Sequence, residues 1–311
     1  MTTLLTTDPD RAAAVLQRGG TCAFPTETVY GLGALAHDAG AVEAVFAAKG
    51  RPADNPLIVH VLRPDDIAVL AHLTEAAERL LNAFAPGPLT LVLRARPGLP
   101  LSVTASLPTV AVRLPASRHA RDVLRATGAP LVAPSANRSG RPSPTTWQAV
   151  RDDLDGRIGA ILQGPPTKIG LESTVVDVTE TIPLVLRPGA VSLDDLRRVL
   201  PEAQPVTREH QAAQRSPGTR HRHYAPSAHV RLAEIADARP GPDAAWIGLS
   251  SPPPGYAQST VCRDVPDYAR RLFHAFRRAD ADGLARIDAE PVPDDGLGAA
   301  LMDRLRRAAQ R

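Results

Sequence analysis

The chain has 311 residues, 43% of them apolar and 22% charged, a balance typical of a soluble globular protein long enough for two hydrophobic cores. No apolar run reaches the length of a membrane span, and Asp8 and Asp10 interrupt the N-terminus too early for a signal peptide. The 36 basic and 33 acidic side chains are spread along the chain, and no segment carries the concentrated positive charge used to bind a nucleic-acid backbone.

The two cysteines, Cys22 and Cys262, lie in apolar, strand-like segments and show no spacing typical of a metal site. So few cysteines, with no disulfide pattern, are typical of a protein that works in a reducing compartment. We therefore predict two buried, reduced thiols and a cytoplasmic location.

The first part of the chain predicts a helix followed by one compact unit. Asp8 and Pro9 are typical of a helix start, and this helix is expected to run to Leu16. Residues 21–61 then predict a strand, a polar turn, a helix, a cationic loop and a second strand. We expect the functional residues to be organised around this unit.

The turn and the cationic loop carry the polar side chains of this unit. Thr26, Glu27 and Thr28 follow the first strand and precede the glycines of YGLGA, which predicts a turn rich in oxygen atoms. Lys49 and Arg51 lie at the end of the predicted helix. Two cations at this position are also favoured by the helix dipole without any ligand, so that interpretation stays open.

Lys49 is one of only two lysines among the 36 basic residues, the other being Lys168. An ammonium group is a compact point charge, whereas a guanidinium is a wide planar fork. We therefore expect Lys49 to occupy a place that a guanidinium would not fit. His60 lies in the apolar strand LIVHV, where a purely structural histidine is the alternative to a functional one.

The rest of the N-terminal part predicts alternating helices and strands. Helices are expected at residues 64–70, 74–84 and 117–127. Strands are expected within PLVAPSAN and at residues 89–93, 109–114, 158–162, 173–178 and 184–186. This mixture predicts an α/β domain over residues 1–200, built on a twisted mixed sheet with flanking helices.

The C-terminal part predicts a linker and a second, smaller domain. Periodicity fades after residue 200, and we expect a linker over residues 201–226. Strands are then expected near residues 228–233, 244–248, 260–263 and 284–289, with helices at residues 266–279 and from 297 onward. The alternation predicts a Rossmann-like α/β domain over residues 227–311. No glycine-rich dinucleotide fingerprint follows a strand there, so we do not predict that it binds a cofactor.

The helix predicted at residues 266–279 is amphipathic. Its inward-facing side chains are expected to be Ala269, Leu272, Phe273 and Phe276. Its outward-facing side chains are expected to be Arg270, Arg271, Arg277 and Arg278.

Six motifs, in one order along the chain, carry a resemblance to a known family. They are PTETVYGLG, AAKGRPADNPL, APSANRSGRPSPT, GLESTVVD, VLRPGAV and SPGTRHRHYAP. Together they closely resemble the threonylcarbamoyl-AMP synthase family in its long, two-domain form. The resemblance implies a YrdC-like fold, similar to that of DHBP synthase, for the first domain. It also implies synthesis of L-threonylcarbamoyladenylate and pyrophosphate from L-threonine, bicarbonate and ATP, for the N6-threonylcarbamoyladenosine modification of tRNA.

The implied reaction requires a site that positions the two substrates and supplies positive charge to the phosphates. A carbamate formed from threonine and bicarbonate attacks the α-phosphate of ATP, and because it is already an anion no protein nucleophile is needed. Lys49, Arg51 and Arg187 suit the triphosphate. Mg²⁺ is expected as the cofactor that bridges the phosphates, held mainly by phosphate oxygens and water, because the sequence shows no protein cage for it.

The resemblance assigns the other site residues by position. The catalytic group that grips ATP matches Lys49, Arg51, Ser135 and Asn137. Further ATP contacts match Asn55, Thr109, Ser143 and Arg187. Positions around L-threonine match Thr28, His60, Arg113, Ser135 and Ser173. Arg113 suits the amino-acid carboxylate through a bidentate pair. Ser135 and Asn137 have an alternative interpretation as ordinary turn residues, and Ser173 as a residue that merely opens its strand.

The linker motif departs from the family pattern. Family members commonly have SPGMKYKHYAP, whereas this chain has SPGTRHRHYAP, with His221 in place of tyrosine and Thr219 in place of methionine. We expect the linker to cover the nucleotide as a lid, with His221 as a weaker ATP contact. The alternative is a solvated basic linker.

Two other functions compete with the synthase. The first is a module that binds double-stranded RNA or tRNA, which the even charge distribution disfavours. The second is a carbamoyl-adenylate enzyme that uses carbamoyl phosphate, which the lack of CxxC pairs disfavours. The synthase assignment implies the downstream tRNA threonylcarbamoyl transferase machinery as a partner. It does not require tRNA binding, and it implies no membrane partner.

Overall fold

The computed structural model describes residues 2–52, 54–206 and 225–310, which build two sheets with helices packed against them. The strands of the larger sheet are β1 (Leu4–Thr6), β2 (Cys22–Pro25), β3 (Tyr30–Leu35), β4 (Ile58–His60), β5 (Leu89–Arg94), β6 (Thr109–Arg113), β7 (Leu131–Val132), β8 (Ala160–Leu162), β9 (Thr174–Asp177), β10 (Leu184–Arg187) and β11 (Gln204–Pro205). The helices of this part are α1 (Pro9–Gln17), α2 (Ala39–Lys49), α3 (Pro64–Leu70), α4 (Glu75–Phe84), α5 (Leu101–Thr104), α6 (Arg118–Thr127), α7 (Trp147–Leu154) and α8 (Leu193–Val199). The smaller part contains β12 (His229–Leu232), β13 (Ala244–Gly248), β14 (Gln258–Val261), β15 (Arg286–Ala289), α9 (Val265–Ala281) and α10 (Gly296–Ala309).

The larger sheet has the strand order β1-β8-β2-β3-β7-β4-β6-β5-β9-β10-β11. Its pairs are of both kinds: β4 and β6 run parallel, whereas β5 and β6 run antiparallel. Every residue of β5 except the last, Arg94, is buried, so both faces of the sheet are covered at its centre. These features confirm the prediction of a mixed sheet with flanking helices.

Helix ends follow the capping residues that the sequence predicts. The side chain of Asp8 accepts a hydrogen bond from the N–H of Asp10 and so caps α1. Gly50 ends α2 with a φ of 60°, the left-handed conformation that glycine adopts most easily. The chain therefore turns sharply between Lys49 and Arg51, which sends their side chains in different directions.

The prediction was wrong for YGLGAL. The turn predicted at Thr26, Glu27 and Thr28 is present, but no strand was expected between it and α2, whereas this segment forms β3, antiparallel to β2. A Cβ atom added at Gly33 would lie 2.6 Å from the Phe24 ring, so the glycine allows neighbouring groups to approach closely within the sheet. The short elements β1, β11, α5, α7 and α8 were also missed.

Part of the predicted linker belongs to the larger sheet. β11 pairs in parallel with β10, and Ala203 is buried in the main hydrophobic core. Residues 207–224 lie outside the described residues. The lid prediction and the ATP contact predicted for His221 therefore remain predictions.

The smaller sheet is entirely parallel, in the order β12-β15-β13-β14, with α9 and α10 packed against it. This layout confirms the Rossmann-like prediction. The four side chains of α9 predicted to face inward are fully buried: Ala269, Leu272, Phe273 and Phe276. One prediction for this helix was wrong, because Arg277 does not face solvent. It is largely buried and binds Asp153 of the larger part at 2.8 Å.

Buried contacts join the two parts. Val29 and Leu171 of the larger part belong to the hydrophobic cluster of the smaller one. Gly170 lies so close to α9 that an added Cβ would be 2.4 Å from the Cα of Arg270. The interface is therefore packed against the segment that leads into β9, which carries predicted site residues.

Within the described parts of the chain, no helix combines the length and the apolar character that crossing a membrane requires. Cys22 and Cys262 are buried and free, as predicted. Burial raises the pKa of Cys22 to about 12 and that of Cys262 to about 11. Both thiols therefore stay protonated and poorly reactive at neutral pH.

Candidate active site

A cleft is formed by side chains of β4, β6 and β10 and by the segments before β3, before β4, after β7 and before β9. Its apolar lining includes Val29, Leu57 and Ile58. Seven predicted site residues line it: Thr28, Arg51, His60, Arg113, Ser135, Ser173 and Arg187. The fold therefore brings together residues that lie up to 159 positions apart in the sequence (187 − 28 = 159).

The turn between β2 and β3 is fixed by the hydroxyl group of Thr26. This hydroxyl donates to the carbonyl oxygen of Val29 at 2.7 Å and accepts from the N–H of Thr28 at 3.1 Å. Bonds between a hydroxyl group and the nearby backbone are typical of tight turns. The turn thereby holds Thr28, which is fully buried, at the cleft wall.

Arg113, the last residue of β6, donates to three acceptors. Nη2 binds Oε1 of Glu27 at 2.5 Å, Nη1 binds Oγ1 of Thr28 at 3.0 Å, and Nε binds the carbonyl oxygen of Gly87 at 3.3 Å. Burial acts to raise the pKa of Glu27, but the charge and hydrogen bonds of Arg113 outweigh it and hold that pKa below its ordinary value. Glu27 therefore stays ionised, and two of the five N–H groups of Arg113 lie outside these three bonds.

His60, the last residue of β4, lies beside Arg113 in the parallel pair of β4 and β6. The side chain is buried, and Nδ1 lies 3.4 Å from the carbonyl oxygen of Ile58. Burial, and then the charge of Arg113, lower the pKa of His60 to about 3, although Glu27 opposes this. At neutral pH the ring is uncharged, so it can exchange hydrogen bonds with a ligand but does not attract an anion by charge.

Ser173 and Arg187 form a hydrogen-bonded pair where β9 begins and β10 ends. Arg187 donates through Nε to the carbonyl oxygen of Ser173 and through Nη2 to its hydroxyl group, both at 3.0 Å. The hydroxyl oxygen of Ser173 also lies 2.8 Å from Oγ1 of Thr90. The pairing of β9 and β10 shifts between Val185 and Arg187, and such an irregularity redirects a side chain. The guanidinium of Arg187 is thereby held at the cleft.

Arg51 lines the cleft and is oriented by its own loop. Nε donates to the carbonyl oxygen of Asn55 at 3.3 Å, and Nη2 donates to that of Pro56 at 3.0 Å. The side chain of Asn55, a predicted ATP contact, is fully buried and does not line the cleft. In this structure Asn55 therefore acts on the site through its backbone, by directing Arg51.

Lys49 lies behind the cleft wall and holds the loop that carries the next two predicted residues. Nζ donates to the carbonyl oxygen of Ser135 at 2.5 Å and to that of Asn137 at 2.7 Å. Burial, and then the charge of Arg51, lower the pKa of Lys49 well below its ordinary value, although Asp153 opposes this. The small ammonium group between two carbonyl oxygens agrees with the expectation that a guanidinium would not fit. The sequence did not predict that Lys49 faces backbone rather than the cleft.

Asn137 is buried next to the cleft lining. Nδ2 donates to the carbonyl oxygens of Arg138 at 2.8 Å and Arg141 at 2.9 Å, which are the bonds of a well-ordered loop. Its Oδ1 atom is buried without a hydrogen-bond partner. Buried polar atoms almost always have a partner, so this oxygen is an unused acceptor in the loop that carries Ser135.

Two further predicted ATP residues, Ser143 and Thr109, do not line the cleft. The hydroxyl group of Ser143 donates to Oε1 of Glu172, which does line it. Thr109 begins β6, four residues before Arg113, and is therefore about 13 Å away along the strand. His221 lies outside the described residues.

Sequence reasoning missed two carboxylates at this site. Glu27 and Glu172 stand in the motifs PTETVYGLG and GLESTVVD, but neither was assigned a role. Both are buried and paired with an arginine: Glu27 with Arg113, and Glu172 with Arg304 at 2.9 Å. Glu27 could have been predicted, because the buried cation of Arg113, already assigned to the site, needs an anionic partner and Glu27 stands in one of the polar motifs.

The cleft fits a magnesium ion that enters with a nucleotide. Glu172 is the one carboxylate that lines it, and in the described parts of the chain no group of three or more His, Cys, Asp or Glu side chains could hold a metal. Magnesium is commonly held by one or two carboxylates, phosphate oxygens and water. Both oxygens of Glu172 already accept hydrogen bonds, Oε2 from Arg304 and Oε1 from Ser143, so a magnesium ion here would be held mainly by phosphate oxygens and water.

Two family models match nearly the whole chain. Residues 14–189 match the family described as "Telomere recombination", and residues 191–310 match "Threonylcarbamoyl-AMP synthase, C-terminal domain". The chain is 43% identical over 319 residues to the threonylcarbamoyl-AMP synthase of Pyrococcus abyssi. The aligned region covers 96% of this chain and 93% of that relative. It is 40% identical over 330 residues to the threonylcarbamoyl-AMP synthase of Bacillus subtilis, and this aligned region covers 98% of this chain and 94% of that relative.

Solved structures give the same result. The crystal structure of P. abyssi Sua5 complexed with L-threonine matches with a TM-score of 0.92 and 39% identity, over 99% of this chain and 98% of that one. The structure of E. coli YciO matches with a TM-score of 0.53 and 21% identity over 60% of this chain, which is a likeness of fold alone. The chain therefore belongs to the threonylcarbamoyl-AMP synthase family, in its long, two-domain form.

Proposed function

We propose that this protein is an L-threonylcarbamoyladenylate synthase, which forms threonylcarbamoyl-AMP and pyrophosphate from L-threonine, bicarbonate and ATP. The observation that carries the proposal is a single cleft whose lining combines Arg113, a neutral His60 and the hydroxyl groups of Thr28 and Ser173 with the guanidinium groups of Arg51 and Arg187. This is the set of groups that an amino acid and a polyphosphate need side by side.

The L-threonine end of the cleft lies around Arg113. Its two remaining N–H groups are available to the carboxylate of the amino acid, and the bond to Glu27 sets their direction. Thr28 and Ser173 offer hydroxyl groups, and the uncharged ring of His60 offers one donor or acceptor. These three groups hold the side-chain hydroxyl of threonine or its carbamate.

The nucleotide end lies around Arg51 and Arg187. Both guanidinium groups line the cleft and are oriented by carbonyl oxygens, so their charge is placed before the substrate arrives. Ser135 stands on the loop that Lys49 fixes, and Asn137, whose Oδ1 is an unused acceptor, belongs to the same loop. Magnesium bound with ATP, held mainly by phosphate oxygens and water, would neutralise charge on the phosphates.

The reaction then needs no protein nucleophile. The amine of threonine adds to bicarbonate with loss of water, and an oxygen of the resulting carbamate attacks the α-phosphorus of ATP. A new P–O bond forms as the bond to the departing pyrophosphate breaks. Arg51 and Arg187 hold the phosphates and Arg113 holds the amino acid. The carbamate oxygen can then approach the α-phosphorus in line with the bond to the departing pyrophosphate.

The same proposal fixes the finer assignments. Residues 1–200 together with β11 form the catalytic domain, and residues 227–311 form the smaller domain. The product is consumed by the tRNA threonylcarbamoyl transferase machinery in the cytoplasm. Neither step requires this protein to bind tRNA.

Incubation with L-threonine, ATP, magnesium and labelled bicarbonate tests the proposal. The expected result is label in threonylcarbamoyl-AMP together with an equal amount of pyrophosphate. A parallel reaction with labelled carbamoyl phosphate separates the synthase from a carbamoyl-phosphate enzyme. Transfer of label only from carbamoyl phosphate, or ATP-independent binding of tRNA without any adenylate, would overturn the assignment.

A further inference from the structure

Arg304 belongs to α10 of the smaller domain, yet its guanidinium is fully buried against the larger one. Nε donates to Oε2 of Glu172 at 2.9 Å, and Nη1 donates to the carbonyl oxygen of Pro188 at 2.9 Å. Nη1 also donates to Oδ2 of Asp303 at 2.7 Å. A buried guanidinium is costly unless its charge is paired, so these acceptors determine where the side chain lies.

Both partners in the larger domain are next to residues of the cleft. Glu172 lines the cleft and directly precedes Ser173, and Pro188 directly follows Arg187. Ser173 and Arg187 are themselves joined by two hydrogen bonds. Arg304 therefore ties the segment before β9 to the segment after β10 at the two places where these strands contribute to the cleft.

Arg304 also sets the charge of the cleft wall. Without it, Glu172 would present an unneutralised carboxylate to a cleft that receives phosphates, and like charges brought together in a site cost affinity. With Oε2 bound to Arg304, Oε1 accepts from the hydroxyl group of Ser143. One arginine of the smaller domain thus neutralises Glu172 and leaves its second oxygen to orient a predicted ATP residue.

We propose that Arg304 is a positioning residue for the nucleotide, so that the smaller domain completes the active site of the larger one. It acts through Glu172 and does not itself touch the substrates. The inference rests on the proposed synthase function for its kinetic readout, but ATP binding alone also tests it.

The experiment compares purified full-length Arg304→Met, Arg304→Lys and Arg306→Met with the natural sequence. Arg306 is a matched control, because it lies two residues away on α10 and forms an exposed ion pair with Asp294. We expect Arg304→Met to raise the Kd and KM for ATP by about tenfold or more, because it leaves a buried carboxylate unpaired. Arg304→Lys should raise them less, and Arg306→Met should leave them within about twofold.

A second change separates positioning from a merely structural role. Glu172→Gln added to Arg304→Met removes the unpaired negative charge, so the double variant should bind ATP more tightly than Arg304→Met alone. If Arg304 only joined the domains, losing both partners of the contact would bring no such recovery. Thermal unfolding of each variant shows that the proteins compared are folded.

An ATP Kd unchanged in folded Arg304→Met overturns the inference, and so does a double variant that binds no better than Arg304→Met. Should Arg304→Met fail to fold, the ATP Kd of Arg304→Lys against Arg306→Lys decides, and equal values overturn the inference. Calorimetry measures the Kd for ATP without any enzymatic turnover, so this test does not depend on the synthase activity. A protein whose ATP affinity depends on Arg304 but which makes no threonylcarbamoyl-AMP would refute the proposed function and leave the inference standing.

Discussion

Arg113 and Glu27 form a buried ion pair in the cleft wall, with 2.5 Å between Nη2 and Oε1. Glu27 is held in turn by the N–H of Ser117, which donates to Oε2 at 3.0 Å. The guanidinium assigned to the threonine carboxylate is therefore aimed by a carboxylate of the protein. Glu27 serves to fix Arg113, and its low pKa makes it a poor proton acceptor.

The first prediction concerns Glu27→Gln. The amide keeps the shape of the side chain but removes the charge, which leaves Arg113 buried without its anionic partner. We expect the free energy of unfolding to fall by about 3 kcal/mol and the KM for L-threonine to rise by about tenfold or more. Urea unfolding and steady-state kinetics measure the two effects.

Glu43→Gln is the matched control for this change, because Glu43 is exposed on α2. It should leave both quantities unchanged. If Glu27→Gln keeps the natural KM for L-threonine, Glu27 does not orient Arg113 for the substrate.

The second prediction concerns Lys49→Arg. Nζ lies between the carbonyl oxygens of Ser135 and Asn137, where the wider guanidinium must displace the loop. We expect Lys49→Arg to lower kcat/KM by about a hundredfold, nearly as much as Lys49→Met, because a misplaced loop misaligns the reacting groups. Lys168→Arg, at the other lysine, which is exposed, should have no effect. Activity of Lys49→Arg close to that of the natural protein would show that only the charge matters.

The third prediction concerns pH. The unfolded chain protonates His60 below pH 6.5, whereas in the folded chain burial and Arg113 keep the ring neutral down to about pH 3. Between these values the unfolded state binds the extra proton, so the free energy of unfolding falls by about 1.4 kcal/mol for each pH unit of acidification. His60→Gln should remove this component. Between about pH 7 and pH 5 the natural protein should lose about 2 kcal/mol more than the variant. Parallel losses in urea titrations at the two pH values would contradict the assigned state of His60.

The fourth prediction concerns Arg187→Lys. Arg187 uses two nitrogens to bind the carbonyl and hydroxyl oxygens of Ser173, and a lysine cannot make both bonds while it faces the cleft. We expect the KM for ATP to rise by about tenfold or more, with a smaller change for L-threonine. Arg198→Lys, on the exposed side of α8, is the control. Equal effects on the two substrates would place Arg187 outside the nucleotide end.

Much of the fold could be predicted because its signals are local. The apolar run that forms Leu89–Arg94 and the capping residue Asp8 each act within a few positions of the chain. Tyr30–Leu35 was missed because its glycines read as a turn, although they make room for Phe24 on the neighbouring strand. That requirement is set by packing, which a single segment does not encode.

In the candidate site too, residues in local motifs could be predicted, whereas contacts between distant positions could not. Thr28, Ser173 and the other motif residues could be named because each stands in a recognisable local pattern. The partner of Lys49 could not be named, because Ser135 lies 86 positions away and the contact is made by a backbone oxygen. Arg304 gave no signal either, because it lies on an amphipathic helix 132 positions from Glu172. Contacts of this kind are decided by the arrangement of strands and domains.

A crystal structure with L-threonine and a non-hydrolysable ATP analogue tests the central claim most directly. We predict the threonine carboxylate within hydrogen-bond distance of Arg113, its amino group facing the α-phosphate, and the phosphates between Arg51 and Arg187. Threonine or nucleotide bound elsewhere, with this cleft empty in a preparation that makes threonylcarbamoyl-AMP, would contradict it.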